Sequence, residues 1–163
     1  MNYTVRPYEK GEEVYVADAH RRIYSEEYHW GDSFITYAMK VATDFAAKEQ
    51  SDREELWVAE AEGKLVGCIM LCETDDPNVG QLRLFLVEKA YRHYGIGGAL
   101  IGALMEKAKA AGYKELLLWT ASPLDAAIRH YERMGFHATE EIANDDWSLT
   151  GERVMEIKMV TEL

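Results

Sequence analysis

Cysteine, proline and basic charge are all scarce in this 163-residue chain. Its two cysteines, Cys68 and Cys72, lie in the run Gly67-Cys68-Ile69-Met70-Leu71-Cys72. On a strand four residues span about 13 Å. A disulfide needs Cα atoms roughly 4.4–6.8 Å apart, so the pair reads as two small buried hydrophobes. With only three prolines and no Pro-, Gly- or Ser-rich stretch, nothing marks a linker, and residues 1–163 read as one domain large enough to bury a core. The five histidines (20, 29, 93, 130 and 137) fall into no HExxH or Cys/His cluster, so no metal site is expected. No apolar run approaches the roughly 18 residues of a membrane span. Met1 is followed by the polar, strand-like Asn2-Tyr3-Thr4-Val5-Arg6 rather than by a signal peptide, so the expectation is a cytoplasmic protein with no membrane partner. The net charge of −11 excludes a nucleic-acid partner, because neutralising phosphates needs a surplus of Lys and Arg. That charge either keeps the surface soluble or steers a cationic substrate inward.

What is present is a regular succession of patterns. A strand is expected over 2–7, and helical spacing of Val14, Ala17, His20/Arg21 and Tyr24 marks a helix from Glu12 to about Tyr28. Gly31-Asp32-Ser33 breaks it, with Asp32 or Ser33 capping a second helix over 34–48. Leu56–Ala61 and Lys64–Glu73 form a hairpin around Glu62-Gly63. After the turn Asp75-Asp76-Pro77-Asn78, Gln81–Val87 is a strand apolar enough to be buried on both faces. A helix over 96–111 closes at Gly112; then follow a strand Glu115–Thr120, a helix Leu124–Met134, and strands near 136–142 and 152–160. The order β-α-α-β-β-β-α-β-α-β-β is an α/β fold with a mixed sheet of about seven strands and helices on its faces.

The stretch from Leu84 to Leu100 carries the chemistry. A buried strand runs into a helix whose first turn holds Gly95, Gly97 and Gly98. Free N–H groups and the positive end of the dipole make such a helix start an anion site, which Arg92 supplements. A P-loop needs Gly-Lys-Ser/Thr, but Ala99-Leu100 follow; a dinucleotide fingerprint starting at Gly95 needs a small residue where Leu100 stands. A lone Gly-x-Gly is more often a device for tight helix–sheet packing.

The spacing Arg92-x-x-Gly95-x-Gly97 resembles the coenzyme A signature of the GCN5-related N-acetyltransferase (GNAT) family. Upstream, Leu86-Val87-Glu88-Lys89-Ala90-Tyr91-Arg92 is similar to that family's strand-four exit, with Lys89 in place of a common proline. Downstream, Ala127-Ile128-Arg129-His130-Tyr131-Glu132-Arg133-Met134-Gly135-Phe136 resembles its Ala-x-x-x-Tyr-Glu-x-x-Gly-Phe. The likeness covers residues 80–140 well and the N-terminal third loosely. A looser likeness, to acetyltransferase domains fused to winged-helix regulators of the multiple-antibiotic-resistance type, rests on Tyr24–Trp30, Leu82–Leu84 and Leu118–Thr120.

The resemblance implies an acetyl-CoA-dependent N-acetyltransferase, with no metal, working by direct transfer in a ternary complex. It gives the backbones of Leu86 and Val87 to the pantetheine arm, with the Val87 N–H polarising the thioester carbonyl, and the backbone of Arg92, His93, Tyr94, Gly95, Ile96, Gly97 and Gly98 to the diphosphate. Ser122 stands in for an asparagine that touches the arm in relatives, where this chain has Ala121 and Leu124. Tyr131 takes the general-acid position, or is a core tyrosine; Glu26, Glu27 and Glu73 are the candidate bases. Arg83, expected on the same face as Phe85 and Val87, either pairs with a structural carboxylate or binds the carboxylate of an amino-acid-like substrate. Tyr28 and Trp30 supply an aromatic wall or core packing. Small amine, amino acid, antibiotic and protein N-terminus all fit as acceptor. Relatives often dimerise through the C-terminal strands of the sheet, which allows a homodimer. The rival reading is a non-catalytic acyl-CoA sensor, which needs the glycine loop but neither Tyr131 nor a base.

Overall fold

The computed structural model describes residues 1–163. The elements follow the expected order: β1 (Tyr3–Pro7), α1 (Glu13–Glu26), α2 (Asp32–Ala47), β2 (Glu55–Ala61), β3 (Lys64–Glu73), β4 (Val79–Val87), a 3-10 turn at Lys89–Tyr91, α3 (Ile96–Ala110), β5 (Glu115–Ala121), α4 (Asp125–Arg133), β6 (His137–Asn144) and β7 (Val154–Glu162). The strands form one seven-stranded mixed sheet in the order β1-β2-β3-β4-β5-β7-β6.

Side-chain alternation divides the core between the two faces. Trp57 and Ala59 point to a layer closed by Leu100, Ile101 and Leu104 of α3 and Tyr131 of α4. Leu56 and Val58 point the other way, to Val16 and Ile23 of α1 and Phe45 of α2. The cap of α2 differs from expectation. The helix begins at Asp32 with Gly31 as its N-cap and no side-chain cap bond. Ser33 Oγ instead donates to the Asp146 carbonyl (3.3 Å), so the side chain ties the helix start to the β6–β7 loop.

Two irregularities create the site. The parallel strands β4 and β5 pair only at Val79–Gln81 with Glu115–Leu117, and then part. One strand over, the β3–β4 register shifts between Cys68, opposite Leu86, and Met70, opposite Arg83. That bulge puts Leu84 at φ 53°, a left-handed conformation that costs a branched side chain about 1–2 kcal/mol. The buried Cys68 thiol, kept protonated by burial that pushes its pKa up, donates to the freed Leu84 carbonyl (3.1 Å). Both cysteines are free and buried. No helix is long and apolar enough to cross a membrane.

Candidate active site

Where β4 and β5 part, a cavity of about 980 Å³ opens through the sheet. One end reaches Gly95, Ile96 and Gly97 at the start of α3; the other reaches Tyr28, Trp30 and Trp147 beyond α1. Leu86, Val87 and Tyr131 line it between.

Gly95, the N-cap of α3, takes φ 88°, which suits glycine. The first intrahelical bond runs from the Ala99 N–H to the Gly95 carbonyl (3.1 Å), so Ile96, Gly97 and Gly98 have N–H groups with no partner further back in the helix. Gly97 is buried; a Cβ there would stand 3.3 Å from His130 Nε2 and 3.3 Å from Phe85 Cζ. His93, at φ 70°, lines the cavity, whereas Tyr94 and Gly98 are exposed and do not. Arg133 Nη2 lies 3.2 Å from His130 Nδ1, and Arg129 and Arg133 line the same mouth without a carboxylate partner.

Arg92 is otherwise employed. Its guanidinium forms a two-pronged pair with Glu27 (2.9 and 3.0 Å), and its Nε donates to the Val87 carbonyl (2.9 Å). It therefore fastens the exit of β4 to the end of α1 and holds Glu27 outside the cavity lining. Glu26 is exposed. Glu73, also exposed, accepts from Ser51 Oγ (2.6 Å) and sits opposite Gly80, far along β4 from Val87. None of the three expected bases reaches the cavity. The only carboxylate lining it is Glu156 of β7, which lies opposite Ala121 and accepts from Asn144 Nδ2 (3.1 Å).

Ser122 is committed as well: its Oγ accepts from the Met155 N–H (3.0 Å) and joins the ends of β5 and β7. The polar atom left over is two residues back. Thr120 is 7% exposed and lines the cavity, and its Oγ1 is buried with no partner. Such an atom costs about 1–3 kcal/mol until something bonds it.

Tyr131 is buried, its ring 5.8 Å from Phe85 and 5.8 Å from Phe136. Burial first, then the nearby Tyr24, raises its pKa well above the ordinary tyrosine value, so the hydroxyl keeps its proton. His20 is wholly buried; its Nδ1 lies 2.7 Å from the Val16 carbonyl, an acceptor that requires Nδ1 to carry the proton. Burial lowers its pKa to about 4, so it is neutral at pH 7. Since the unfolded value is about 6.5, this stability is complete above that pH and is lost as pH falls toward the folded value. We expect His20→Phe to remove a drop of about 2 kcal/mol between pH 7 and pH 5, read as a shallower fall of the urea midpoint. An equal fall in both proteins would refute the assignment.

At the far end the rings of Tyr28, Trp30, Phe34 and Trp147 pack at centroid distances from 4.7 Å for Trp30–Phe34 to 5.5 Å for Tyr28–Trp30. Trp30 is core and wall at once, 2% exposed yet lining the cavity. Arg83 is half-buried there, on the other face from that expected. The bulge at Leu84 reverses the alternation, so Arg83 shares its face with Leu84 and Leu86 while Phe85 and Val87 pack toward α3. Its guanidinium pairs with no carboxylate; it donates to the Tyr37 hydroxyl and stands 5.6 Å from that ring.

The family model of the acetyltransferase (GNAT) family matches residues 17–136, a span that contains the helix start, the parted strands and α4. The chain belongs to the GNAT family. Among curated relatives, N-acetyltransferase 8 of Homo sapiens is 34% identical over 109 residues, 62% of this chain and 48% of the relative. N-acetylaspartate synthetase of Xenopus tropicalis is 38% identical over 80 residues, 49% of this chain and 30% of the relative. The chain thus spans about half the length, or less, of these two relatives. A GNAT family acetyltransferase from Elizabethkingia anophelis, solved with acetyl-CoA bound, superposes with a TM-score of 0.65 at 20% identity over 99% of both chains. It shares the GNAT fold. No group of three or more His, Cys, Asp or Glu side chains is placed to hold a metal ion.

Proposed function

We propose that this GNAT chain is an N-acetyltransferase that moves the acetyl group of acetyl-CoA directly to a small-molecule amine, both bound at once. One observation carries this reading: a single cavity joins the free N–H groups of a glycine-rich helix start to an aromatic recess, with Tyr131 and Glu156 on its walls. The residues present fit the co-substrate. Gly97 leaves room that a Cβ would fill, and Thr120 Oγ1 has no partner in the chain. The relatives' names and the acetyl-CoA of the Elizabethkingia structure support the same assignment.

Acetyl-CoA supplies the acetyl group as a thioester. The N–H groups of Ile96 and Gly97, with that of Gly98 just outside the lining, would hold its diphosphate, aided by Arg129 and Arg133 in the place given by sequence to the Arg92 side chain. The backbones of Leu86 and Val87 and the hydroxyl of Thr120 would hold its arm, with the Val87 N–H aimed at the thioester carbonyl. Tyr131 Oη, protonated at every working pH, donates to the sulfur as negative charge develops there. A carboxylate is needed to take the proton from an acceptor whose pKa is near ~10, and Glu156 Oε1/Oε2 is that base, directly or through water. Arg83, Tyr28 and Trp30 form the acceptor end. The segments behind the looser likeness to regulator-fused domains contribute walls of this cavity, and we read that likeness as one of acceptor ends.

The test is thiol release from acetyl-CoA across a panel of small amines. Glu156→Gln is expected to lower kcat/KM for the best amine about 100-fold or more while acetyl-CoA affinity stays within about two-fold. Full activity in that variant would remove Glu156 from the base role. Tight acetyl-CoA binding with no amine consumed would favour the acyl-CoA sensor.

A further inference from the structure

The aromatic recess and Arg83 have no part in holding acetyl-CoA, and together they describe an acceptor. In a chain with 29 acidic residues, most arginines find a carboxylate: Arg6, Arg21, Arg22, Arg92 and Arg153 all do. Arg53 is satisfied by the carbonyls of Ala111 and Pro77. Of the remainder, Arg129 and Arg133 stand at the phosphate mouth and Arg83 at the opposite end. Across the bulge Arg83 and Val87 stand opposite Met70 and Gly67 of β3, three residues or about 10 Å apart along that strand, so Arg83 lies well away from the N–H groups of α3. A half-buried arginine whose guanidinium stands over one ring, that of Tyr37, and donates to its hydroxyl has unused donors in a fork that matches a carboxylate.

The charge of the lining points the same way. Although the chain carries a net −11, the lining charges without an ion-pair partner are Arg83, Arg129 and Arg133 against Glu156, Arg92 being paired with Glu27. The surface charge therefore says little about the substrate: with Arg129 and Arg133 at the phosphate mouth, the acceptor end holds Arg83 and Glu156, one charge of each sign, which suits a zwitterion. The rings of Tyr28, Trp30, Phe34 and Trp147, tilted or edge-to-face to one another, offer an apolar recess held in place by backbone bonds. The Gly31 N–H donates to the Trp147 carbonyl (2.7 Å) and the Leu149 N–H to the His29 carbonyl (2.8 Å), strapping the β6–β7 loop across the α1–α2 turn. Polar side chains would lose water there without gaining partners.

Resting on the acetyltransferase reading, we propose that the acceptor is an α-amino acid with an aromatic or large apolar side chain. Its carboxylate binds Arg83, its ammonium faces Glu156, and its side chain packs in the ring-lined recess. The ammonium first gives one proton to Glu156. The freed amine then forms a bond to the acetyl carbon as the carbon–sulfur bond breaks, the leaving thiolate takes a proton from Tyr131, and the second proton shed by the nitrogen restores the one Tyr131 has given. The products are an N-acetyl amino acid and free CoA.

The experiment compares L-phenylalanine, L-methionine, L-aspartate and phenethylamine, the last being phenylalanine without its carboxylate. Two readouts are taken, acetyl transfer and calorimetric binding to the CoA-saturated protein, for wild type and Arg83→Met. Phenylalanine or methionine is expected to exceed both phenethylamine and aspartate about 10- to 100-fold in kcat/KM, the range expected for losing hydrogen bonds to a charged group. Arg83→Met should erase the preference over phenethylamine with acetyl-CoA affinity unchanged. Phenethylamine equal to phenylalanine, aspartate preferred to both amino acids, or a preference that survives Arg83→Met would overturn the assignment while leaving the acetyltransferase reading intact. Arg83-dependent binding of phenylalanine without transfer to any amine would keep the recess and overturn the enzyme. Neither binding nor transfer of phenylalanine and methionine would overturn the acceptor class outright.

Discussion

Gly97→Val is expected to raise the dissociation constant for acetyl-CoA at least about 100-fold, a loss of roughly 2.7 kcal/mol, in a protein that still folds. Position 97 lies in the first turn of α3, where valine is at least as good a helix former as glycine, and its φ is not left-handed. The harm is therefore local. A Cβ already touches His130 Nε2 and Phe85 Cζ at 3.3 Å, so the two further methyls must occupy the passage between α3 and α4 or push those rings into it. Gly102→Ala is the control, one turn further along with open space at its Cβ; it should bind normally and be more stable by about 0.5–1 kcal/mol. Unchanged affinity in Gly97→Val, measured by calorimetry with the melting temperature recorded beside it, would sink the phosphate-site assignment.

Tyr131→Phe should lower kcat about 10- to 100-fold and leave acetyl-CoA affinity within about three-fold. The size of the loss follows from the groups involved. A thiol with a pKa of about 8.5 is a fair leaving group unaided, while burial holds the Tyr131 hydroxyl far above the ordinary tyrosine range. In the proposed reaction the hydroxyl would thus act as a hydrogen-bond donor to developing charge rather than as a strong acid, and its removal is expected to slow the reaction without abolishing it. The ring contacts with Phe85 and Phe136 survive in phenylalanine, so stability should change little. A kcat equal to wild type would return Tyr131 to the core.

The order of elements was legible because it rests on local patterns: alternation in β2, four-residue recurrence of Ile96, Leu100 and Leu104, and glycine at the turn of Gly112. The helix start of α3 was legible for the same reason. What escaped was set by long-range register. Glu156 reaches the cavity because β7 lies beside β5 with Ala121 opposite it, a pairing across 35 residues that no local spacing announces. Ser122 and Thr120 exchange roles through that same pairing, which spends the serine oxygen on Met155 and leaves the threonine's free. Arg83 changes face because of one bulged residue, Leu84, whose left-handed φ a branched apolar side chain gives no reason to expect. Arg92 matched a phosphate-binding pattern by position, yet its side chain meets Glu27, which is 65 residues away and part of another element. Charge misled in the same manner: a net −11 describes the whole surface, whereas the cavity selects its lining from a few strands and helix ends.

The central claim is that this cavity holds acetyl-CoA by its phosphates and arm, and calorimetric titration of the purified protein with acetyl-CoA, CoA and ATP in parallel tests it most directly. Binding of both CoA species at about micromolar dissociation constants, near −8 kcal/mol, with none of ATP, is the expected result. Absence of CoA binding, or ATP binding as tightly as CoA, would contradict it and reduce the glycine-rich helix start to a packing device.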